Sequence, residues 1–263
     1  MPTYRLTLEY DGTEFHGWQQ QPHTRTVAGV LLDAVHTVSG ERPALTAAGR
    51  TDAGAHAHGQ VVGVSLARSW EPERLRAALN ASLPADVAVV AAETWREGFD
   101  ARRDAVDRTY RYVVVCRNGR APVTRRHTWT VRGPLDLTAM RVAAQRLVGT
   151  HDFAAFGGPT SPGGSTVRTV HSIDVAQHVI DADESDTHLD SVVITARANA
   201  FLRGMMRAFA GALVKVGQGR LAPEWISGVM DAGPGRSPLI ALAPARGLHQ
   251  WRVSYAPATE IAA

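Results

Sequence analysis

Cysteine, lysine and long apolar runs are what this sequence has least of. A single cysteine, Cys116, excludes an intrachain disulfide and a cysteine-built zinc site. It lies in the strand-like run TYRYVVVC, where a buried structural thiol is expected. No stretch reaches about 18 consecutive apolar residues, so no transmembrane helix is expected. The opening MPTYRLTLEY is a strand pattern, not a basic region followed by an apolar one, and no signal peptide is read there. These absences together lead to the expectation of a soluble, cytoplasmic protein. Also missing are GxxxxGKS/T, a GxGxxG following a strand, HExxH and GxSxG. A P-loop, a dinucleotide fold, a zincin and a nucleophile elbow thus have no support.

What is present is an ordinary globular composition, 44% apolar and 20% charged over 263 residues. That length suits one large domain or two smaller ones. The basic residues are unusual: 27 of 28 are arginine, and Lys215 is the one lysine. Arginine grips phosphates bidentately and stacks on bases, although replacement of Lys by Arg in an Ala-rich chain is an equal explanation. Position says more than number. Between Arg102 and Arg126 lie eight arginines (102, 103, 108, 111, 117, 120, 125, 126) against Asp104 and Asp107. Such an excess suits a polyanion better than a small neutral substrate.

Periodicity yields an element order. Alternation over 3–10 predicts a strand. The spacing of Val27, Val30, Leu31, Ala34, Val35 and Val38 predicts a helix over 26–39, with Thr26 as N-cap and Gly40 as its stop. Strands at 44–50 and 59–66, a helix at 72–82 and a strand at 87–95 complete βαββαβ. The second half repeats the order: a strand near 108–115, a helix over 136–149, strands near 167–178 and 190–198, a long helix over 200–217, a short helix from Pro223 and a last strand at 250–255. The acidic run 181–190 reads as an exposed hairpin loop. The fold expected is α+β, two ferredoxin-like halves (1–105 and 106–263) with mainly antiparallel sheets joined around a central cleft.

Four constellations could carry chemistry. In GRTDAG (49–54), Asp52 is either a turn former capping its own backbone or a carboxylate held by a strand–loop–strand at the mouth of a sheet, with Arg50 two residues before it. His16, His56 and His58 lack a ligand motif, and polar or RNA contact is the simpler reading, with no metal expected. In FLRGMMR, Arg203 and Arg207 are four apart and would share a helix face. That face is solvated, or else places one arginine near buried surface, where it needs a carboxylate. In RTYRYVVV, Tyr110 and Tyr112 share one strand face, as core filling or as a base-stacking platform.

The chain resembles the TruA family of tRNA pseudouridine synthases over nearly its whole length. The matching segments run in order: YDGTEFHGWQQQP (10–22), GRTDAGAHAHGQV (49–61), NASLPADVAVV (80–90), FDARRDAVDRTYRYVV (99–114), HDFAAF (151–156), FLRGMMRAFAGALVKVGQG (201–219) and APARGLHQW (243–251). The resemblance implies Asp52 as catalytic aspartate (nucleophile or base) and Arg207 as the arginine that pairs with it. It implies Arg50 in base flipping or phosphate contact, Tyr110 packed on the target base, and Leu248 lining the pocket. It further implies isomerisation of uridine in the anticodon stem-loop of tRNA (positions 38, 39 and 40), no cofactor, and a homodimer. Ala55, Gly204 and Ala28 depart from the Val, Asn and Gln usual at those places, which puts local packing and one polar contact in question. A non-catalytic RNA-binding module and a base glycosylase or nucleoside hydrolase are the rival readings.

Overall fold

The strand expected at 3–10 is Thr3–Tyr10 (β1), and it buries the predicted face, with Tyr4, Leu6, Leu8 and Tyr10 all in the core. The computed structural model describes residues 1–161, 163–180, 189–233 and 240–256; most of the loop expected at 181–190 lies outside them. The chain divides into two compact units, one of residues 1–106 and 250 onward, the other of 107–249. Sequence boundaries at 1–105 and 106–263 would put the last strand in the second unit. Its residues from Gln250 on belong instead to the first.

In the first unit β1 lies between two antiparallel neighbours, His56–Ser65 (β3) and Val87–Trp95 (β4), with Leu6 opposite Val62 on one side and Ala92 on the other. Thr46–Ala47 (β2) pairs with β3 opposite Gly63 and Val62. Val27–Ser39 (α1) and Pro72–Ser82 (α2) pack against the sheet. The helix ends follow from local chemistry. The Thr26 hydroxyl accepts from Gly29 N–H, Gly40 takes φ 78° after α1, and the Glu71 carboxylate caps α2 with Pro72 in its first turn. Leu31, Leu75 and Leu79 are fully buried against Leu6, Leu8 and Val62, each worth about 1.5–3 kcal/mol of transfer free energy. A second cluster forms around Val61, Phe99, Ala101 and Val253. Both faces of β3 are therefore covered, and its burial is nearly continuous.

In the second unit Ala105–Cys116 (β5) runs antiparallel to Leu189–Ala198 (β9), with Tyr112 opposite Ile194. β9 pairs with Val167–Ile180 (β8), and β8 with Gly149–Asp152 (β7). Trp129–Val131 (β6) is parallel to β5. Beside these strands stand Leu137–Gln145 (α3), Met205–Gly217 (α4) and Trp225–Asp231 (α5). Leu248–Tyr255 (β10) starts in this unit and ends in the first, where it lies beside β3. Eleven of the thirteen residues of α4 are buried, the pattern of a helix enclosed on all sides. Phe209 meets Phe153 and Phe156 edge-on at 5.5 and 5.2 Å.

Several boundaries differ from the expectations. α3 ends at Gln145 and not at 149, because Gly149, at φ 117°, opens β7 instead of stopping the helix. α4 begins at Met205 and not at 200. Gly204 takes φ 77°, and Arg203 bridges Gly158 in an extended backbone. Arg203 therefore precedes the helix and shares no helical face with Arg207. The strand at 44–50 contracts to two residues, Thr46–Ala47.

Candidate active site

The loop of residues 48–55, which carries Asp52, is fixed on both sides of that residue. Ala48 N–H donates to Val61 C=O at 2.9 Å. The Gly49 carbonyl accepts from the Gln60 amide at 2.7 Å, and Gln60 in turn accepts from Gln250 at 3.0 Å inside the protein. Trp18 N–H donates to Thr51 C=O at 3.1 Å, and Gly54 N–H to Phe15 C=O at 3.2 Å. The Thr51 hydroxyl is 2.8 Å from the Tyr10 hydroxyl in a buried contact. Ala55 N–H closes a turn onto Asp52 C=O at 3.1 Å, and Gly54 supplies the positive φ of 78° that the turn needs.

The approach of the 12–18 segment to this loop depends on two glycines. A Cβ on Gly12 would lie 1.8 Å from the Ala55 carbonyl oxygen, and one on Gly17 would lie 2.7 Å from that of Thr51. Behind the loop, buried His56 accepts from Gly12 N–H at 3.1 Å through Nδ1, which is also 3.2 Å from an Asp11 oxygen. His58 instead is exposed and meets Trp251 in a tilted ring contact at 4.6 Å. Asp52 itself is half-buried and Arg50 exposed. The result is a carboxylate at the tip of a loop whose backbone cannot drift, the preorganisation that nucleophilic or general-base chemistry requires.

Tyr110, Arg207 and Leu248 belong to the second unit. Tyr110 is buried in β5 and meets Phe201 edge-on at 4.8 Å. Arg207 is half-buried near the start of α4, with Nε donating to Ala243 C=O at 2.7 Å. Leu248, 7% exposed, follows the short 3-10 turn Ala245–Gly247. Of the arginine-rich window, Arg108 is buried and donates to Asn199 C=O at 2.7 Å, so it serves the fold. Arg117, Arg120, Arg125 and Arg126 are exposed on the segment between β5 and β6.

The departures from the family pattern have local reasons. Gly204 occupies left-handed backbone, where glycine and asparagine are the residues best tolerated. Ala28 is tied through its backbone, its N–H donating to Trp18 C=O at 3.0 Å. The small side chain of Ala55 is buried where Gly12 comes close. Reading residues one at a time passes over Tyr10, Gln60 and Gln250, whose side chains hold the loop around Asp52, and leaves Tyr112 undecided between core filling and base stacking. One signal was available: a glutamine amid the apolar run GQVVGV, since a buried amide must find partners.

Among the described residues no helix is long and apolar enough to cross a membrane. The profile of the tRNA pseudouridine synthase family matches residues 7–102 and 143–256. The protein called tRNA pseudouridine synthase A in Methylobacterium radiotolerans is 43% identical over 258 residues, covering 98% of this chain and 99% of the relative. Its namesake in Azorhizobium caulinodans is 42% identical over 97% of this chain and 95% of the relative. That of Syntrophotalea carbinolica is 41% identical over 98% of each. With the profile spanning most of its length and relatives matching it end to end, the chain belongs to the tRNA pseudouridine synthase family, isomerases that convert uridine to pseudouridine.

Proposed function

We propose that this protein isomerises uridine in the anticodon stem-loop of tRNA, at positions 38, 39 and 40, with Asp52 as the reacting carboxylate. The observation that carries the reading is the loop around Asp52, held by backbone bonds from Ala48, Gly49, Thr51, Gly54 and Ala55 while its carboxylate stands at the tip. In the reaction the N1–C1′ bond of uridine breaks and a C5–C1′ bond forms. C5 gives up its hydrogen as a proton and N1 gains one, so no oxidant or cofactor is required. The target base must leave its stack, at about a few kcal/mol for a paired base. Arg50 fills the vacated space or holds a phosphate. Tyr110 packs against the base and Leu248 keeps water out, so that the detached uracil is not lost to hydrolysis. Arg207 pairs with Asp52. The working protein is a cytoplasmic homodimer. Its two halves, divided near residue 105, are ferredoxin-like, a reading supported in the first by the order β1-α1-β2-β3-α2-β4.

The test is tritium release from an undermodified tRNA labelled at uridine C5, followed by mapping of the modified positions. Release with the native protein, and none with Asp52→Asn that still binds tRNA, is expected. Product from Asp52→Asn would remove Asp52 from the centre of the reaction. Free uracil would point to a glycosylase, and binding with no chemistry to an RNA-binding module.

A further inference from the structure

Tyr112 lies two residues along β5 from Tyr110 and is fully buried, edge-on to Trp129 at 6.2 Å. A buried phenol needs a hydrogen-bond partner. This one donates to the Pro244 carbonyl at 2.6 Å. Burial pushes the hydroxyl well above the usual phenol range, against the opposing pull of the Arg207 and Arg246 charges. It therefore remains a donor at any working pH.

The acceptor is part of a short strap, residues 241–248, that carries or contacts two of the proposed site residues. Ala243, next to Pro244, exchanges two bonds with Arg207: its N–H donates to the Arg207 carbonyl at 3.1 Å, and its carbonyl accepts from Arg207 Nε at 2.7 Å. With Nε committed to the strap, the strap sets the plane of the guanidinium and hence the aim of Nη1 and Nη2. Leu248 ends the same strap. Close packing holds the strap at two points. A Cβ on Gly247 would come within 2.7–2.9 Å of Tyr112 Cζ, Cε1 and Oη, and one on Gly211 of α4 would lie 2.3 Å from the Ala241 carbonyl oxygen. The strap thus has one seat, between the hydroxyl end of Tyr112 and the bare flank of α4.

We infer that Tyr112 is a positioning residue for the isomerisation, its hydroxyl anchoring the strap that orients Arg207 and presents Leu248. The inference rests on the roles proposed above for those two residues. Anchoring affects alignment in the reacting complex more than tRNA affinity, because tRNA is held mainly by phosphate contacts elsewhere.

Steady-state tritium release tests it with Tyr112→Phe, which keeps the ring and deletes the donor. The expected result is a kcat lower by about tenfold, as for a lost orienting hydrogen bond, with KM for tRNA unchanged within about twofold. Gly211→Ala, which pushes the strap from the opposite side, should give the same split. In an Arg207→Lys background, where no Nε–H remains to meet Ala243, Tyr112→Phe should add little. Native kcat in Tyr112→Phe, or losses that simply multiply in the double variant, would overturn the inference while leaving Asp52 chemistry standing. Full activity in Arg207→Lys alone would overturn the role of Arg207, and this inference with it.

Discussion

The hydroxyls of Tyr10 and Thr51 are 2.8 Å apart in the interior, joining the last residue of β1 to the residue before Asp52. The bond ties the reactive loop to β1, whose alternate residues Tyr4, Leu6, Leu8 and Tyr10 lie in the core. Tyr10→Phe keeps the ring and its contact with Trp18 at 6.5 Å but leaves the Thr51 hydroxyl without this partner. Loss of one buried hydrogen bond should lower stability by about 1–2 kcal/mol, read as a shift of the urea midpoint at unchanged slope. Turnover should fall further than stability predicts, since Asp52 is one residue away. Native turnover in the variant would mean that the loop is positioned without Tyr10.

Gly12 and Gly17 should tolerate no side chain: Gly12 for a different reason from Gly40, and Gly17, which also takes φ 87°, for both. The first two face carbonyl oxygens of the Asp52 loop, which cannot move aside without moving Asp52. Gly12→Ala and Gly17→Ala should each cost about 1–3 kcal/mol from overpacking and remove most of the activity. Gly40 has φ 78° with nothing near its would-be Cβ, so Gly40→Ala should cost about 1–2 kcal/mol and leave turnover per folded molecule intact. Native turnover per folded molecule in Gly12→Ala, where φ is not positive and contact acts alone, would show that contact with the loop does not govern activity.

Where local chemistry decides an element, residue type was enough to place it. β1 follows from strict alternation, α1 from Thr26 and Gly40, α2 from Pro72. Where a neighbour decides, residue type was not enough. The apolar spacing through Phe201 and Leu202 continues the helical pattern of α4, and Leu202 is indeed buried, but its chain pairs with the segment at Gly158 and turns at Gly204. β6 and β7 are too short, at three and four residues, to imprint a period. For the site, Asp52 stood out by motif, whereas Tyr10, Gln60 and Tyr112 act through partners 41, 11 and 132 residues away, and no local pattern encodes such a partner.

Asp100 offers a stability effect with a defined pH sign. Burial raises its pKa, but hydrogen bonds from the N–H groups of Arg102 and Arg103, at 2.9 and 3.0 Å, and the charges of those arginines outweigh burial and hold the carboxyl below its usual 3.8. A depressed folded-state pKa contributes stability that is fully present above the unfolded value and is lost as pH falls through the folded one. Asp100→Ala should therefore cost about 1 kcal/mol at pH 7, and the difference from the native protein should shrink below about pH 3.8. A difference unchanged between pH 6 and pH 3 would mean that the charge contributes nothing.

Cys116 should be a slow thiol. It is half-buried at the end of β5, and burial together with the charge of Asp190 pushes its pKa above the usual 9.0. Only the thiolate is nucleophilic. Alkylation by iodoacetamide at pH 8 should be several-fold slower than in the urea-unfolded chain, and should still be accelerating as pH passes 9. Asp190→Asn should raise the rate. Reaction as fast as in the unfolded chain would contradict the raised pKa.

The exposed arginines between β5 and β6 separate a contact with tRNA from a contact within the fold. Each phosphate neutralised contributes about −0.7 to −0.9 to the slope of log binding constant against log salt. If Arg125 and Arg126, both exposed, touch the tRNA backbone, changing each to Gln should reduce that slope by about this amount. Binding should weaken alike for every tRNA, and turnover at saturating tRNA should be unchanged. Arg108→Gln provides the contrast: its guanidinium is buried against Asn199 C=O, so the variant should lose stability and keep the native salt slope. Slopes unaffected by Arg125→Gln and Arg126→Gln would place the polyanion on another face, and a slope lowered by Arg108→Gln would mean that the buried arginine becomes accessible when tRNA binds.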